Sequence, residues 1–174
     1  CSITAALPVL AALKIQCCPV PTSVLSNHTG FPVYFFDDYT DKMEPYIEKW
    51  KELNLSFDGI VSGFLGSERQ IQIVKNMITE FKGPKTKVIV DPIMGDHGEA
   101  YATYTESMCS KMKELAEMAD ILTPNLTEAC ILTKRPYKKN AWSRKEIEDL
   151  AEELLDMGPS GVVITGVRKG EYLV

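Results

Sequence analysis

KVIVDPIMGD, residues 87–96, decides the fold. Val88, Ile89 and Val90 are apolar and β-branched without alternation, the pattern of a strand buried on both faces of a parallel sheet. Pro92 cannot donate to a ladder, so the strand stops at Asp91. The segment FDGIVSGFL, residues 57–65, repeats the design: an apolar run that turns glycine-rich at its carboxyl end. Ser67 then caps a helix to about Lys82, with Ile71, Val74, Ile78 and Phe81 on one stripe.

Downstream, the spacing predicts a helix over 105–118, a short strand over 119–123, a helix from Thr127, a helix over 143–157 and a strand over 161–165. Upstream it predicts a helix over 2–14 that tolerates Pro8 and a strand over 15–25. A further helix runs from Thr40 to near Asn54, where TDKME offers a capping box of Thr40 and Glu44. Alternating strands and helices predict a single α/β domain over 1–174, a mostly parallel central sheet with helices on both faces in three α/β/α layers. Ligands of such sheets bind beyond the carboxyl ends of the strands. Polar and glycine residues collect there: Ser62-Gly63-Phe64, Asp91-Pro92, Gly95-Asp96, Thr123-Pro124-Asn125 and Thr165-Gly166.

Composition excludes several function classes. The 174 residues carry 19 Lys+Arg against 24 Asp+Glu, a net charge of −5, which argues against a general nucleic-acid binder. With 45% apolar and 25% charged residues the chain matches an ordinary globular protein, and no apolar run is long enough to span a membrane. Five cysteines, none in a C-x-x-C pair, encode neither a disulfide framework nor a zinc site and suit a reducing cytosol. The chain lacks an initiator Met and a basic leader, and reads as part of something longer. Walker A, G-x-G-x-x-G, HExxH and GxSxG words are absent, and His28 and His97 are the only histidines.

Each candidate residue has two readings. Asp91 and Asp96 stand where carboxylates can hold Mg²⁺ directly or through water, yet DP and GD are also common turn dipeptides. Asn125 and Glu128 in TPNLTEA suit a helix start structurally, and the same helix end can receive phosphates while Glu128 organises a hydrated metal. SNHTG, residues 26–30, is either a plain turn or a set of donors and acceptors for a small polar heterocycle. Phe64 is either core or a platform for an aromatic substrate. KRPYKKN, residues 134–140, reads as a solvated basic loop.

Taken together, SNHTG, the SGF segment, DPIMGD, ADILTPNLTEA and MGPSGVVITG resemble the pyridoxal kinases of the ribokinase-like superfamily, in the family's order and over essentially all 174 residues. DPxMGD with TPNxxE points to the vitamin-kinase branch, and SNHTG to pyridoxal kinases within it. The resemblance implies ATP-dependent phosphorylation of the 5′-hydroxymethyl group of pyridoxal, pyridoxamine or pyridoxine. By matching position it puts His28, Thr29, Phe64 and Ser2 at the vitamin, and Asp91, Tyr104, Asn125, Glu128, Thr165 and Gly166 at ATP, with Tyr104 in a flexible cover. It assigns Asp96 and Glu128 to Mg²⁺, and Asp91, Thr123 and Thr165 to a monovalent cation, K⁺ or Na⁺.

The resemblance further implies a cytoplasmic homodimer with no nucleic-acid or membrane partner. The family's first strand would precede Cys1, and its GxGD aspartate, the catalytic base, would follow Val174, so this stretch holds no catalytic residue itself. The junctions Gly30-Phe31 and Lys139-Asn140 run short of the family pattern. Two rivals stand: hydroxymethylpyrimidine kinase, whose relatives usually carry a glutamine-containing word at the SNHTG position, and a binding module without transfer.

Overall fold

Three consecutive parallel pairings build the sheet that the apolar runs predict. In the computed structural model, which describes residues 2–27, 31–139, 142–169 and 172–173, the strands β3 (Gly59–Ser62), β4 (Lys87–Val90), β7 (Ile121–Leu122) and β8 (Gly161–Val162) lie side by side in that order. Ile60 pairs with Val88, Ile89 with Ile121, and Leu122 with Val162. The crossovers run through α3 (Glu68–Phe81), α4 (Glu106–Ala116), and α5 (Leu126–Thr133) with α6 (Arg144–Leu155). Successive helices pack against one another, α3 on α4, α4 on α5 and α5 on α6.

The chain divides into two compact units, Cys1–Leu55 and Ser56–Val174. Within the second, one face of β3, β4 and β7 is buried: Ile60, Val88, Val90 and Leu122 meet a core that includes Ile71 and Ile78 of α3, Met112 and Leu115 of α4, Leu132 of α5, and Leu150 and Leu154 of α6. The alternate positions Val61 and Val163 are 63% and 55% exposed. The helices start where the sequence says. Ser67, Thr105 and Ser143 each accept the amide three residues on, and Ser143 forms a full capping box with Glu146.

A hairpin that the sequence reading missed interrupts the alternation: β5 (Gly95–Asp96) and β6 (Glu99–Ala100), antiparallel. Gly95 is obligatory there, because a Cβ on it would lie 2.3 Å from the Glu99 carbonyl oxygen across the pair. A further antiparallel pair, β9 (Arg168–Lys169) and β10 (Tyr172–Leu173), follows β8.

The first unit holds α1 (Ser2–Ala12), the antiparallel pair β1 (Ser23–Leu25) and β2 (Phe36–Asp38), and α2 (Thr40–Glu52). The strand expected over 15–25 shrinks to its last three residues, since Pro19 and Pro21 cannot donate to a ladder, and Cys17 and Cys18 are exposed free thiols. The capping box of Thr40 and Glu44 is also corrected. Thr40 is the first helical residue, and the Asp38 carboxylate accepts its backbone N–H at 2.8 Å. Among the described residues no helix is long and apolar enough to cross a membrane.

Candidate active site

The strand ends converge as the sequence reading expects. Asp91 extends the ladder by one bond, its N–H donating to the Ser62 carbonyl at 3.3 Å, before Pro92 turns the chain. On the neighbouring strand Thr123 donates its N–H to the Val90 carbonyl at 3.0 Å. Beyond it, Asn125 and Thr165 form a parallel bridge, with the Thr165 N–H on the Pro124 carbonyl at 2.8 Å. Asp91, Thr123, Asn125 and Thr165 therefore share one edge of one sheet, and Gly166, at φ +70°, turns the chain away from it.

A clamp holds this edge together. Asn125 caps α5: its Oδ1 accepts the Glu128 N–H at 2.9 Å, and Glu128 Oε2 accepts the Asn125 N–H at 2.8 Å, closing a capping box. Both side chains also reach the loop after β4. Glu128 Oε1 accepts the Met94 N–H at 3.2 Å, and Asn125 Nδ2 donates to the Gly95 carbonyl at 2.9 Å. Glu128 is 3% exposed, and burial, reinforced by the negative charge of Asp91, pushes its pKa up to about 7 against the pull of the amides it accepts.

Asp91 is half-buried, and its carboxylate accepts no hydrogen bond among the described residues; burial holds its pKa above the usual carboxylate range. The buried Ser62 hydroxyl is also without a partner among the described residues. Asp96 is exposed on the hairpin, its Oδ1 accepting the His97 N–H at 2.7 Å. The hydroxyls of Thr123 and Thr165 make only long contacts, 3.4 Å to the Val90 carbonyl and 3.5 Å to the Pro124 carbonyl, which leaves their oxygens available.

Tyr104 is placed otherwise than a flexible cover requires. It is 6% exposed, and its hydroxyl donates to the Leu65 carbonyl at 2.9 Å, so it anchors the start of α4 in the core. The tyrosine at the site is Tyr101, which the sequence reading did not single out. Its N–H donates to the Met94 carbonyl at 2.8 Å and it is 43% exposed. Partial burial raises its pKa, and so do the charges of Asp96, Glu128 and Asp91. Alternating apolar and polar residues give no signal for it.

Among the described residues no three His, Cys, Asp or Glu side chains form a metal cage. Two cavities, about 400 Å³ beside Thr127 and Tyr137 and about 480 Å³ beside Lys82 and Asp120, do not include Asp91, Asn125 or Thr165 in their walls. Phe64 is half-buried and lies against Gly66, whose Cβ, if present, would be 3.5 Å from the ring. In the first unit, Ser26 Oγ accepts the Phe35 N–H and Asn27 Nδ2 donates to the Val33 carbonyl, so the first half of SNHTG closes the β1–β2 connection. His28, Thr29 and the side chain of Ser2 lie outside the described residues.

Comparison with known proteins assigns this arrangement to a family. The phosphomethylpyrimidine kinase family model matches residues 3–173. The chain belongs to that family. A candidate phosphomethylpyrimidine kinase of Bacteroides thetaiotaomicron, solved with pyridoxal, is 42% identical with a TM-score of 0.89, over 95% of this chain and 57% of that one. Pyridoxal kinase of Lactobacillus plantarum is 27% identical with a TM-score of 0.86, over 97% and 60%. Among curated relatives, the pyridoxal kinase of Sus scrofa is 30% identical over 95% of this chain and 54% of its own length. The chain thus spans about half the length of the curated relatives it matches. As a member of the phosphomethylpyrimidine kinase family it has the ribokinase-like α/β fold, with the four-stranded parallel sheet flanked by helices.

Proposed function

We propose that the full-length protein is an ATP-dependent kinase of the 5′-hydroxymethyl group of pyridoxal, pyridoxamine or pyridoxine. The observation that carries this reading is the clamp: Asn125 and Glu128 fasten Met94 and Gly95 to the start of α5, near Asp91, whose carboxylate accepts no hydrogen bond among the described residues. Phosphoryl transfer is mostly positioning and neutralisation of charge, and this edge offers rigid backbone, carboxylates and a helix start.

Carboxylates that form no cage among the described residues fit Mg²⁺, which keeps several waters and binds through one or two carboxylates plus substrate phosphates. Asp96 would hold it, with Glu128 as a contributor through water, since both Glu128 oxygens already accept amides. When bound, Mg²⁺ supplies positive charge to the phosphates. Asp91 and the loosely held hydroxyls of Thr123 and Thr165 would bind K⁺ or Na⁺. Asn125 would orient the start of α5 toward the ATP phosphates, and Thr165 with Gly166 would face the nucleotide. His28, Thr29, Ser2 and Phe64 would contact the vitamin. The proton of its hydroxyl goes to the GxGD aspartate that the resemblance puts after Val174. A cytoplasmic homodimer belongs to the same reading.

The family model is named for phosphomethylpyrimidine, but SNHTG and the relatives named pyridoxal kinase favour the B6 vitamers. Steady-state kinetics of the full-length protein with Mg²⁺ and ATP should give a kcat/KM for pyridoxal roughly 100-fold or more above that for hydroxymethylpyrimidine, as polar discrimination allows. Equal or reversed preference defeats the assignment. Binding of pyridoxal and nucleotide without any phosphorylated product supports the non-catalytic rival.

A further inference from the structure

The hairpin that carries Asp96 needs outside support. A two-stranded hairpin is marginal by itself, and this one has two residues in each strand. Its turn residues His97 and Gly98 both have positive φ, 54° and 89°, the combination of a type I′ turn. A side chain at positive φ is strained, so His97 stays there only if neighbours fix it. At the base of the hairpin that work falls to Glu128 and Asn125, through Met94 and Gly95.

At its tip the support comes from residues to which the functional reading gives no role. The Gly98 N–H donates to Thr127 Oγ1 at 2.9 Å, and Thr127 is 3% exposed in the first turn of α5. Under Gly98 lies the ring of Tyr137: a Cβ there would sit 2.4 Å from Tyr137 Cδ1. Tyr137 belongs to the basic segment expected to be a solvated loop; its Lys134, Lys138 and Lys139 are exposed as expected, and ion pairs also tie it down. Arg135 forks onto Glu153, and Lys138 pairs with Glu146. The cavity of about 400 Å³ opens beside Gly98, Thr127 and Tyr137, and the Thr127 hydroxyl is the direct tether of the tip.

We propose that Thr127 is a positioning residue for Asp96, with Tyr137 as the floor under the turn. The link is short. Thr127 Oγ1 fixes the Gly98 N–H, Gly98 is bonded to His97, and the His97 N–H fixes Asp96 Oδ1 at 2.7 Å. Losing the tether frees the carboxylate to swing while leaving the sheet and the capping box of α5 intact. The proposal rests on the reading of Asp96 as a Mg²⁺ residue.

The test uses the full-length protein with Thr127→Val, which keeps the shape and removes the acceptor, and Thr127→Ser, which keeps the acceptor. Two quantities are read: hydrogen exchange of the Gly98 amide, and the Mg²⁺ concentration for half-maximal ADP binding by calorimetry. Thr127→Val should speed Gly98 exchange and raise the Mg²⁺ requirement, each about tenfold, the scale typical of groups that orient a metal ligand. Thr127→Ser should restore both. Unchanged Gly98 exchange in Thr127→Val overturns the proposal, as does faster exchange with an unchanged Mg²⁺ requirement. If the wild-type protein binds ADP with no Mg²⁺ dependence, the reading of Asp96 fails and takes the proposal with it. Wild-type dependence that Thr127→Val leaves unmoved refutes the proposal alone.

Discussion

Replacing Glu128 with glutamine is expected to flatten the pH dependence of folding stability between about pH 4.5 and pH 7. Burial and the charge of Asp91 raise the Glu128 pKa from its ordinary 4.5 to about 7. The folded protein then holds a proton that the unfolded chain releases across that window. The stability this adds is fully present below pH 4.5 and is lost as pH rises through 7. The span is on the order of 3 kcal/mol at about 1.4 kcal/mol per pKa unit. With Glu128 only 3% exposed, solvent screens little of it.

Glutamine is neutral throughout, keeps one acceptor for the Met94 or Asn125 N–H, and turns its NH₂ toward the other. That mismatch costs about 1–3 kcal/mol at every pH. Denaturant titrations in EDTA should find Glu128→Gln well below wild type at pH 5 and close to it at pH 8. A gap that is constant or widens with pH would mean that the amides of Met94 and Asn125 outweigh desolvation and keep Glu128 ionised. Asp91→Asn supplies the second arm. Removing the neighbouring charge should move the wild-type transition to lower pH, and an unmoved transition would leave burial as the whole cause.

The local chemistry of this site was legible and its tertiary placement was not. Apolar runs at 59–62 and 87–90 ended by Gly63 and Pro92, and caps at Ser67, Thr105, Asn125 and Ser143, follow from residues within a few positions of one another. The two readings of Asn125 and Glu128 coexist because the atoms that close the capping box also hold the Met94–Gly95 backbone. The hairpin at 95–100 escaped notice because two-residue strands carry no period and His97-Gly98 is not an Asn-Gly or Asp-Gly turn. Tyr101 and Tyr104, three residues apart, have opposite fates. The Leu65 carbonyl, 39 residues away in sequence, decides that Tyr104 is core. The run from Ile15 to Leu25 misled because its β-branched and apolar residues outweighed Pro19 and Pro21, although these prolines are the stronger signal.

Asp96→Asn should separate the metal role from the structural one. Asparagine is isosteric, and its Oδ1 can still accept the His97 N–H, so the type I′ turn and the β5–β6 pairing survive while the charge is removed. The Mg²⁺ concentration for half-maximal turnover should rise about 10–100-fold. The KM for pyridoxal should move by no more than about twofold, because uniform vitamin binding is untouched. Normal Mg²⁺ dependence with a raised vitamin KM would place Asp96 at the substrate instead. The donor set adds a sharper condition. Without a third protein ligand among the described residues, metal alone should bind the wild-type protein and Asp96→Asn almost equally weakly. The difference must then emerge only when nucleotide phosphates complete the coordination, so Mg²⁺ titrations with and without ADP distinguish a shared protein–phosphate site from a resident metal centre.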